Sequence, residues 1–253
     1  MGLLGNALVN SLINNECKII AIDKTFLDSN LIEKFINDKK YENLMCYGVD
    51  ILDERKFSEK IYDGVEKFGP IQGLVNCAAI DFLPESTSSN TIEDLDINHF
   101  QEVLNINVSG QVLCSKVVGS IMIENGIKGS IINIGSIYGK VSPKQEIYSH
   151  IKTKDGSYKK PLVYSVSKSA LTNMSKYLAT YWGEHEIRVN NVVFGGIYNS
   201  QDEKFVENYS KNVPLKRMAN IDESIDPILF LLSDSSSYIT GTDLIVDGGW
   251  TAW

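Results

Sequence analysis

Tyr164 and Lys168 stand four residues apart in Tyr164-Ser-Val-Ser-Lys168, a spacing that puts both side chains on one face of a helix. Ala170, Leu171, Met174, Leu178 and Ala179 continue at helical spacing, so the stretch predicts the opening of a helix. An ammonium beside a phenol favours the phenolate and draws its pKa down from about 10 toward working pH. Such a pair can give or take the proton of an alcohol or ketone. The same residues also fit a half-exposed helix with a common pair of side chains. The chemistry therefore needs a nucleotide site, a nearby hydroxyl and a substrate loop elsewhere in the chain.

A second pair of the same form, Tyr148-Ser-His-Ile-Lys152, lies twelve residues after Ser136, whereas Tyr164 lies twenty-eight after it. The stretch around Tyr148 has no sustained helical period, and Asp155-Gly156 and Pro161 interrupt it. Tyr164 is therefore the expected proton-transfer residue. Residues 140–162 then form an insertion lining or covering the substrate site.

The elements that must position Tyr164 alternate along the chain. Helical patterns run over Leu4–Ile13, Leu31–Lys39, Arg55–Phe68, Phe100–Ile123, the stretch from Tyr164, and Ile225–Leu232. Apolar strands are expected at Lys18–Asp23, Leu44–Val49, Gly73–Asn76, Ser130–Ile134, Arg188–Val193 and Leu244–Val246. Continuous apolar strands between helices predict an α/β fold, a parallel sheet covered on both faces. No repeat or low-complexity linker divides residues 1–253, so one domain is expected. The long irregular stretches, 137–162 and 195–215, are expected at the site, as long loops in such sheets are.

Composition narrows the partners. The net charge of −8 and pI near 5.0 argue against nucleic acid and anionic membranes. No apolar run approaches the roughly 20 residues of a membrane helix, and the first residues lack a basic segment, so a cytoplasmic protein is expected. Cys17, Cys46, Cys77 and Cys114 are far apart, as are His99, His150 and His185. Reduced, mostly buried cysteines are expected rather than a zinc site or disulfides.

Met1-Gly-Leu-Leu-Gly5 leads into a helix and then a strand ending at Asp23. A glycine turn entering a helix lets backbone N–H groups approach a pyrophosphate. An acid at the end of the next strand accepts from a ribose diol and repels a 2′-phosphate, favouring NAD over NADP. A plain helix followed by a strand-end aspartate fits the same residues. A dinucleotide turn should follow a strand, so the first strand of the sheet is expected to be missing.

Together these stretches resemble the short-chain dehydrogenase/reductase family, over essentially the whole chain from Gly2 to Trp253. The strongest part is Tyr164-Ser-Val-Ser-Lys-Ser-Ala-Leu171 with Ile187-Arg-Val-Asn190 downstream. The resemblance implies a single doubly wound Rossmann-type domain. It implies Ser136, in Ile134-Gly-Ser-Ile-Tyr-Gly139, as the serine that steadies the substrate oxygen. Tyr164 becomes the proton-transfer group, with Lys168 lowering its pKa and holding the nicotinamide ribose. Asn107, in Asn107-Val-Ser-Gly110, holds a relay water; Asn105 lies on the same helix, and the family's Asn-x-x-Gly pattern selects Asn107. Gly5 resembles the last glycine of the nucleotide turn, with Leu3 at the middle glycine and Gly2 one place early, so Gly2, Leu3, Leu4 and Gly5 become the pyrophosphate segment. Asp50 and Ile51, in Val49-Asp50-Ile51, resemble the adenine-holding segment. Asn76 and Ala78, in Asn76-Cys-Ala-Ala79, stand where the family has Asn-Asn-Ala-Gly, though Asn76 equally suits a strand end. Gly195 and Ile197, in Phe194-Gly-Gly-Ile197, resemble the Pro-Gly segment that offers backbone to the carboxamide. Asp247-Gly-Gly-Trp250 resembles the C-terminal signature.

The implied activity is hydride transfer between NAD(H) and a secondary alcohol or ketone. The ending Asp-Gly-Gly-Trp-Thr-Ala and the insertion are similar to a flagellin-modification and surface-sugar subgroup, which implies a sugar or polyol derivative. The missing strand keeps open a truncated, catalytically silent protein or binding partner. Gly2-x-x-Gly5 also fits the spacing of nucleotide-sugar epimerases and dehydratases, against which stands the short chain. A homo-oligomer, dimer or tetramer, is implied, built on the helices at 100–123 and from Tyr164. Residues 200–213 read as a mobile, charged substrate lid or a solvated surface helix.

Overall fold

The computed structural model describes residues 1–27, 41–81, 91–153 and 156–253. Mostly apolar runs become its strands: Ile19–Ile22 (β1), Leu44–Tyr47 (β2), Gly73–Asn76 (β3) and Ser130–Ser136 (β4). A short hairpin, Lys152–Thr153 (β5) with Gly156–Ser157 (β6), interrupts the series. Arg188–Phe194 (β7) and Asp243–Val246 (β8) complete it. Every residue of β4 is buried, as expected of a strand covered on both faces.

β1 and β2 pair in parallel, with Ile19 opposite Leu44. β3, β4, β7 and β8 form a second parallel group in that order. Its register sets Gly73 opposite Ser130, and Ser130 opposite Arg188. Among the described residues no ladder joins β1 to β3.

Side chains alternate across β4 and β7, giving two cores. Ile132, Ile134, Val192 and Phe194 pack with Leu8 of α1 (Leu3–Asn14) and with Ile228 and Leu231. The last two belong to the helix Ile225–Leu232. On the other face Ile131 and Val189 meet three helices: α2 (Glu54–Phe68), α4 (Gln111–Glu124) and α5 (Leu162–Tyr181). Each fully buried aliphatic side chain here contributes about 1.5–3 kcal/mol.

The helix expected at 100–123 is built in three parts. α3 (Ile97–Leu104) starts at Asp96, whose carboxylate accepts from the Asn98 N–H at 2.9 Å. A π-helical turn follows at Asn105–Gly110 and leads into α4. By length and composition Ile97–Glu124 could cross a membrane, yet Cys114, Val117, Val118, Ile121 and Met122 lie in the core beneath the sheet.

Two irregular stretches are more ordered than the sequence suggests. Residues 137–162 hold 3₁₀ turns at Ile137–Gly139 and Gln145–Tyr148 and the β5–β6 hairpin. The charged stretch 200–213 contains α6 (Glu203–Lys211), capped by Asp202, which accepts from the Phe205 N–H at 2.9 Å. The expected helix 31–39 lies outside the described residues. All four cysteines are free, but only Cys114 is fully buried, against the expectation of mostly buried thiols.

Candidate active site

β4 ends at Ser136, whose Oγ accepts from the Tyr138 N–H at 3.2 Å and so turns the chain into Ile137–Gly139. That turn docks on α5. A Cβ at Gly139 would lie 2.6 Å from the carbonyl carbon of Lys168, and Ser169 Oγ donates to the Gly139 carbonyl at 3.1 Å. Only glycine permits this approach. Pro161 opens α5, and Val163, Ser167, Leu171, Ser175 and Ala179 form its buried stripe. Tyr164 and Lys168 thereby face the end of β4.

Ser136 lies near enough to the Tyr164 hydroxyl to favour its phenolate. Lys168 Nζ donates to the Ile134 carbonyl at 2.8 Å and lies 5.8 Å from the Tyr164 ring centroid. The expected lowering of the phenol pKa by the lysine is not what the geometry gives. Desolvation comes first and Asp81 second, and together they push Tyr164 above the ordinary phenol value, against the Ser136 contact. Burial likewise lowers Lys168 to about 8. Two ionisable groups enclosed together each move toward the neutral form.

Asn107 lies in the π turn and is fully buried. Its Oδ1 accepts from the Ile80 N–H at 2.8 Å, and its Nδ2 donates to the Ile80 carbonyl at 3.0 Å and to Ser167 Oγ at 3.2 Å. It fastens the loop after β3 to α5, one residue before Lys168. Gln111, one turn further, donates to the Ala78 carbonyl at 3.3 Å. Asn105, the other candidate, caps α3.

The rival Tyr148 ends a 3₁₀ turn rather than opening a helix. It is buried among Tyr158, Phe205 and Tyr138, with its hydroxyl 3.3 Å from that of Tyr138. Burial drives its pKa far up. Lys152 turns away to the Ser149 carbonyl at 3.1 Å. The insertion thus packs an aromatic wall against α6, where Tyr209 stacks on Trp250 at 4.6 Å and accepts from the Gly196 N–H at 2.5 Å. His150 Nε2 of the insertion lies 2.9 Å from an Asp202 carboxylate oxygen at the α6 cap.

On the nucleotide side, α1 begins at Gly2 without a side-chain cap. The amides of Leu3, Leu4 and Gly5 precede the first intrahelical bond, from Asn6 N–H to the Gly2 carbonyl. A Cβ at Gly2 would meet nothing within 4 Å. Uncapped amides facing open space fit a pyrophosphate. Asp23 follows β1, partly exposed; it accepts from Thr25 N–H and Oγ1 at 2.8 and 2.7 Å and lies 3.6 Å from the N-terminal ammonium of Met1. Asp50 accepts from the Leu52 N–H at 3.0 Å and pairs with Lys24 at 3.0 Å, both of which lower its pKa. Ile51 packs against Gly110. The Asn76 amide points inward, donating to Ser115 Oγ at 2.9 Å and Asn133 Oδ1 at 2.8 Å. That leaves its backbone to meet a ligand. Gly195 bonds the Val246 carbonyl, and the Ile197 carbonyl accepts from Gln201 at 3.0 Å. Asp247 folds the C-terminal signature by accepting from the N–H groups of Gly249 and Thr251, both at 2.8 Å.

Sequence reasoning passed over Asp81 and Lys160. Lys160 Nζ meets both Asp81 carboxylate oxygens and lies 4.4 Å from the Tyr164 ring centroid. The available signal was a lysine one helical turn before Tyr164, with an acid just past Asn76-Cys-Ala-Ala79.

Comparison with known proteins gives a consistent answer. A family model described as Enoyl-(Acyl carrier protein) reductase matches residues 4–251. The chain is 28% identical over 251 residues to the post-translational flagellin modification protein A of Campylobacter coli, covering 98% of this chain and 94% of that one. It is 27% identical to the NADH-dependent L-xylulose reductase of Ambrosiozyma monospora, covering 100% and 92%. Among solved structures, a short chain dehydrogenase of Leptospira borgpetersenii with bound NAD+ superposes with a TM-score of 0.83 at 32% identity, covering 99% of this chain and 89% of that chain.

Proposed function

The chain belongs to the short-chain dehydrogenase/reductase family, and within it we propose that Ser136, Tyr164 and Lys168 carry proton transfer to and from the substrate oxygen. The protein is a nicotinamide-dependent oxidoreductase acting on CH–OH groups. The observation that carries the assignment is the convergence of Ser136, Tyr164 and Lys168 at the end of β4, where Lys168 Nζ bonds the Ile134 carbonyl and lies 5.8 Å from the Tyr164 ring centroid.

The nicotinamide cofactor supplies or accepts the hydride. The amides of Leu3, Leu4 and Gly5 hold its pyrophosphate. Asp23 binds the adenosine ribose, and Asp50 and Ile51 border the adenine. Asn76, Ala78, Gly195 and Ile197 offer backbone along the nicotinamide side. Ser136 donates to the substrate carbonyl oxygen and stabilises charge developing there. Tyr164, held as a neutral phenol, gives its proton to the same oxygen in the reducing direction. Lys168 returns a proton toward the phenol, and Asn107 fixes the loop and helix between which that proton moves.

A carboxylate at Asp23 repels a 2′-phosphate, so NAD(H) is the preferred nucleotide. The NADH-dependent relative and the neighbour with bound NAD+ support this reading. The substrate class is a sugar or polyol derivative, supported by the xylulose reductase likeness. Residues 1–253 act as one domain, and four free cysteines suit a cytoplasmic protein. Val112 on α4 and Leu162, Val166, Tyr177 and Tyr181 on α5 are exposed apolar groups, the face on which a homo-oligomer assembles.

The test is calorimetric titration with NAD and NADP, followed by a screen of polyols and ketoses read by nicotinamide absorbance. Tighter binding of NAD and turnover of a secondary alcohol are expected. No binding of either nucleotide would favour a catalytically silent protein.

A further inference from the structure

Asp81 and Lys160 meet over the ring of Tyr164, and proton transfer does not use them. They lie 79 residues apart in the chain, Asp81 in the loop after β3 and Lys160 at the end of the insertion. Lys160 Nζ donates to the two carboxylate oxygens at 2.7 and 2.5 Å. Its side chain is 10% exposed, whereas that of Asp81 is 40% exposed. Asp81 also acts through space on Tyr138, Tyr148 and Tyr158, raising the pKa of each. The carboxylate therefore stands at the open side of the aromatic wall.

Two simpler uses fit poorly. Fastening the insertion does not need the pair, because Ile147, Tyr148 and Tyr158 already anchor that segment in a buried cluster, and Gln145 holds the Lys160 backbone at 2.9 Å. An enclosed ion pair is also a weak fastener, since desolvation offsets its attraction. Capture of an anionic substrate would call for an uncancelled lysine, and Asp81 cancels this one. What the pair presents is an acceptor beside a donor. A carboxylate has about four lone-pair sites, and Lys160 occupies one on each oxygen.

We infer that Asp81 and Lys160 form a substrate-binding pair that reads a hydroxyl on the carbon next to the reacting one, selecting neutral vicinal diols and α-hydroxy ketones. Asp81 accepts the hydrogen of that hydroxyl while Lys160 donates to its oxygen, and the reacting oxygen sits between Ser136 and Tyr164. This rests on the reading of Tyr164 as the proton-transfer residue.

The test uses NADH and three probes: 2-hydroxycyclohexanone, cyclohexanone and 2-oxobutanoate. The unaltered protein is expected to show a kcat/KM for the hydroxy ketone at least about tenfold above the plain ketone, the effect of one charge-assisted hydrogen bond. In Asp81→Asn, and in Asp81→Asn/Lys160→Met, which keeps the charge balance, that ratio should fall toward one. Thermal melting of each variant verifies folding, and the nearly isosteric Asp81→Asn serves if the double variant unfolds. A ratio unchanged in folded variants overturns the inference and leaves the Tyr164 reading standing. So does a higher kcat/KM on the keto acid than on the hydroxy ketone. Reduction of no probe by NADH-bound unaltered protein overturns both readings.

Discussion

Tyr148-Ser-His-Ile-Lys152 and Tyr164-Ser-Val-Ser-Lys168 follow the same pattern, yet the fold treats them in opposite ways. At 164–168 an α-helix sets lysine and tyrosine on one face, and the lysine is held inward by the Ile134 carbonyl. At 148–152 the chain leaves a 3₁₀ turn, so the two side chains diverge. Tyr148 gains a hydroxyl partner and an aromatic shell, and Lys152 stays at the surface. A spacing rule holds only with the backbone that gives the spacing its meaning.

The largest expected contrast is in turnover. Tyr164→Phe should lower kcat by about 10²–10⁴-fold, the usual scale of a lost acid–base group, while its melting temperature stays near that of the unaltered protein. A Tyr164→Phe variant with full activity beside an inactive Tyr148→Phe would reverse the assignment.

Lys168 offers the next contrast, since activity and stability should move in opposite directions. Burial lowers its pKa from 10.5 to about 8, so the folded protein binds this proton less tightly than the unfolded chain. The resulting cost is fully present below about pH 8 and fades as pH rises toward 10.5. Lys168→Met should therefore raise stability at pH 7 by roughly 2–3 kcal/mol while turnover collapses. Urea melts at pH 7 and pH 10 would show the gain shrinking at the higher pH. In the unaltered protein, activity that needs the ammonium should decline above about pH 8. An unfolding midpoint lowered at pH 7 would contradict this electrostatic account.

Tyr148→Phe removes one hydrogen bond to Tyr138 and should cost about 1 kcal/mol, with KM shifted more than kcat because the ring wall borders the substrate. Lys152→Met is the smallest change, within about 0.5 kcal/mol and without kinetic effect. Loss of turnover in Lys152→Met would erase the contrast between the two pairs.

The strands of the two parallel groups and the α5 helix were legible because they depend on local periodicity. The C-terminal helix Ile225–Leu232 and the strand Gly73–Asn76 appear within the bounds that the pattern predicts. What escaped depends on contacts between distant segments. Asp81 and Lys160 meet only after the loop following β3 and the insertion fold toward one ring. The inward turn of Asn76 depends on Ser115 and Asn133, each on another element. The direction of the Tyr164 shift was missed for the same reason. Neighbour spacing shows the lysine, but enclosure by the rest of the molecule sets the larger effect.

The π turn at Asn105–Gly110 makes chain length itself a constrained quantity. In a π turn each backbone bond reaches five residues ahead instead of four, which takes in one residue more than a regular helix would. The sequence periods of α3 and α4 are therefore out of step by one residue, while their faces stay aligned in space. Removing any single residue between 105 and 110 would let one regular helix form, whichever residue was lost. It would leave Val118, Ile121 and Met122 facing the sheet and alter only the turn that brings Asn107 to Ile80. Substitutions along this segment test side chains one at a time, whereas a deletion tests the extra residue by which the turn places Asn107 while the core keeps its faces.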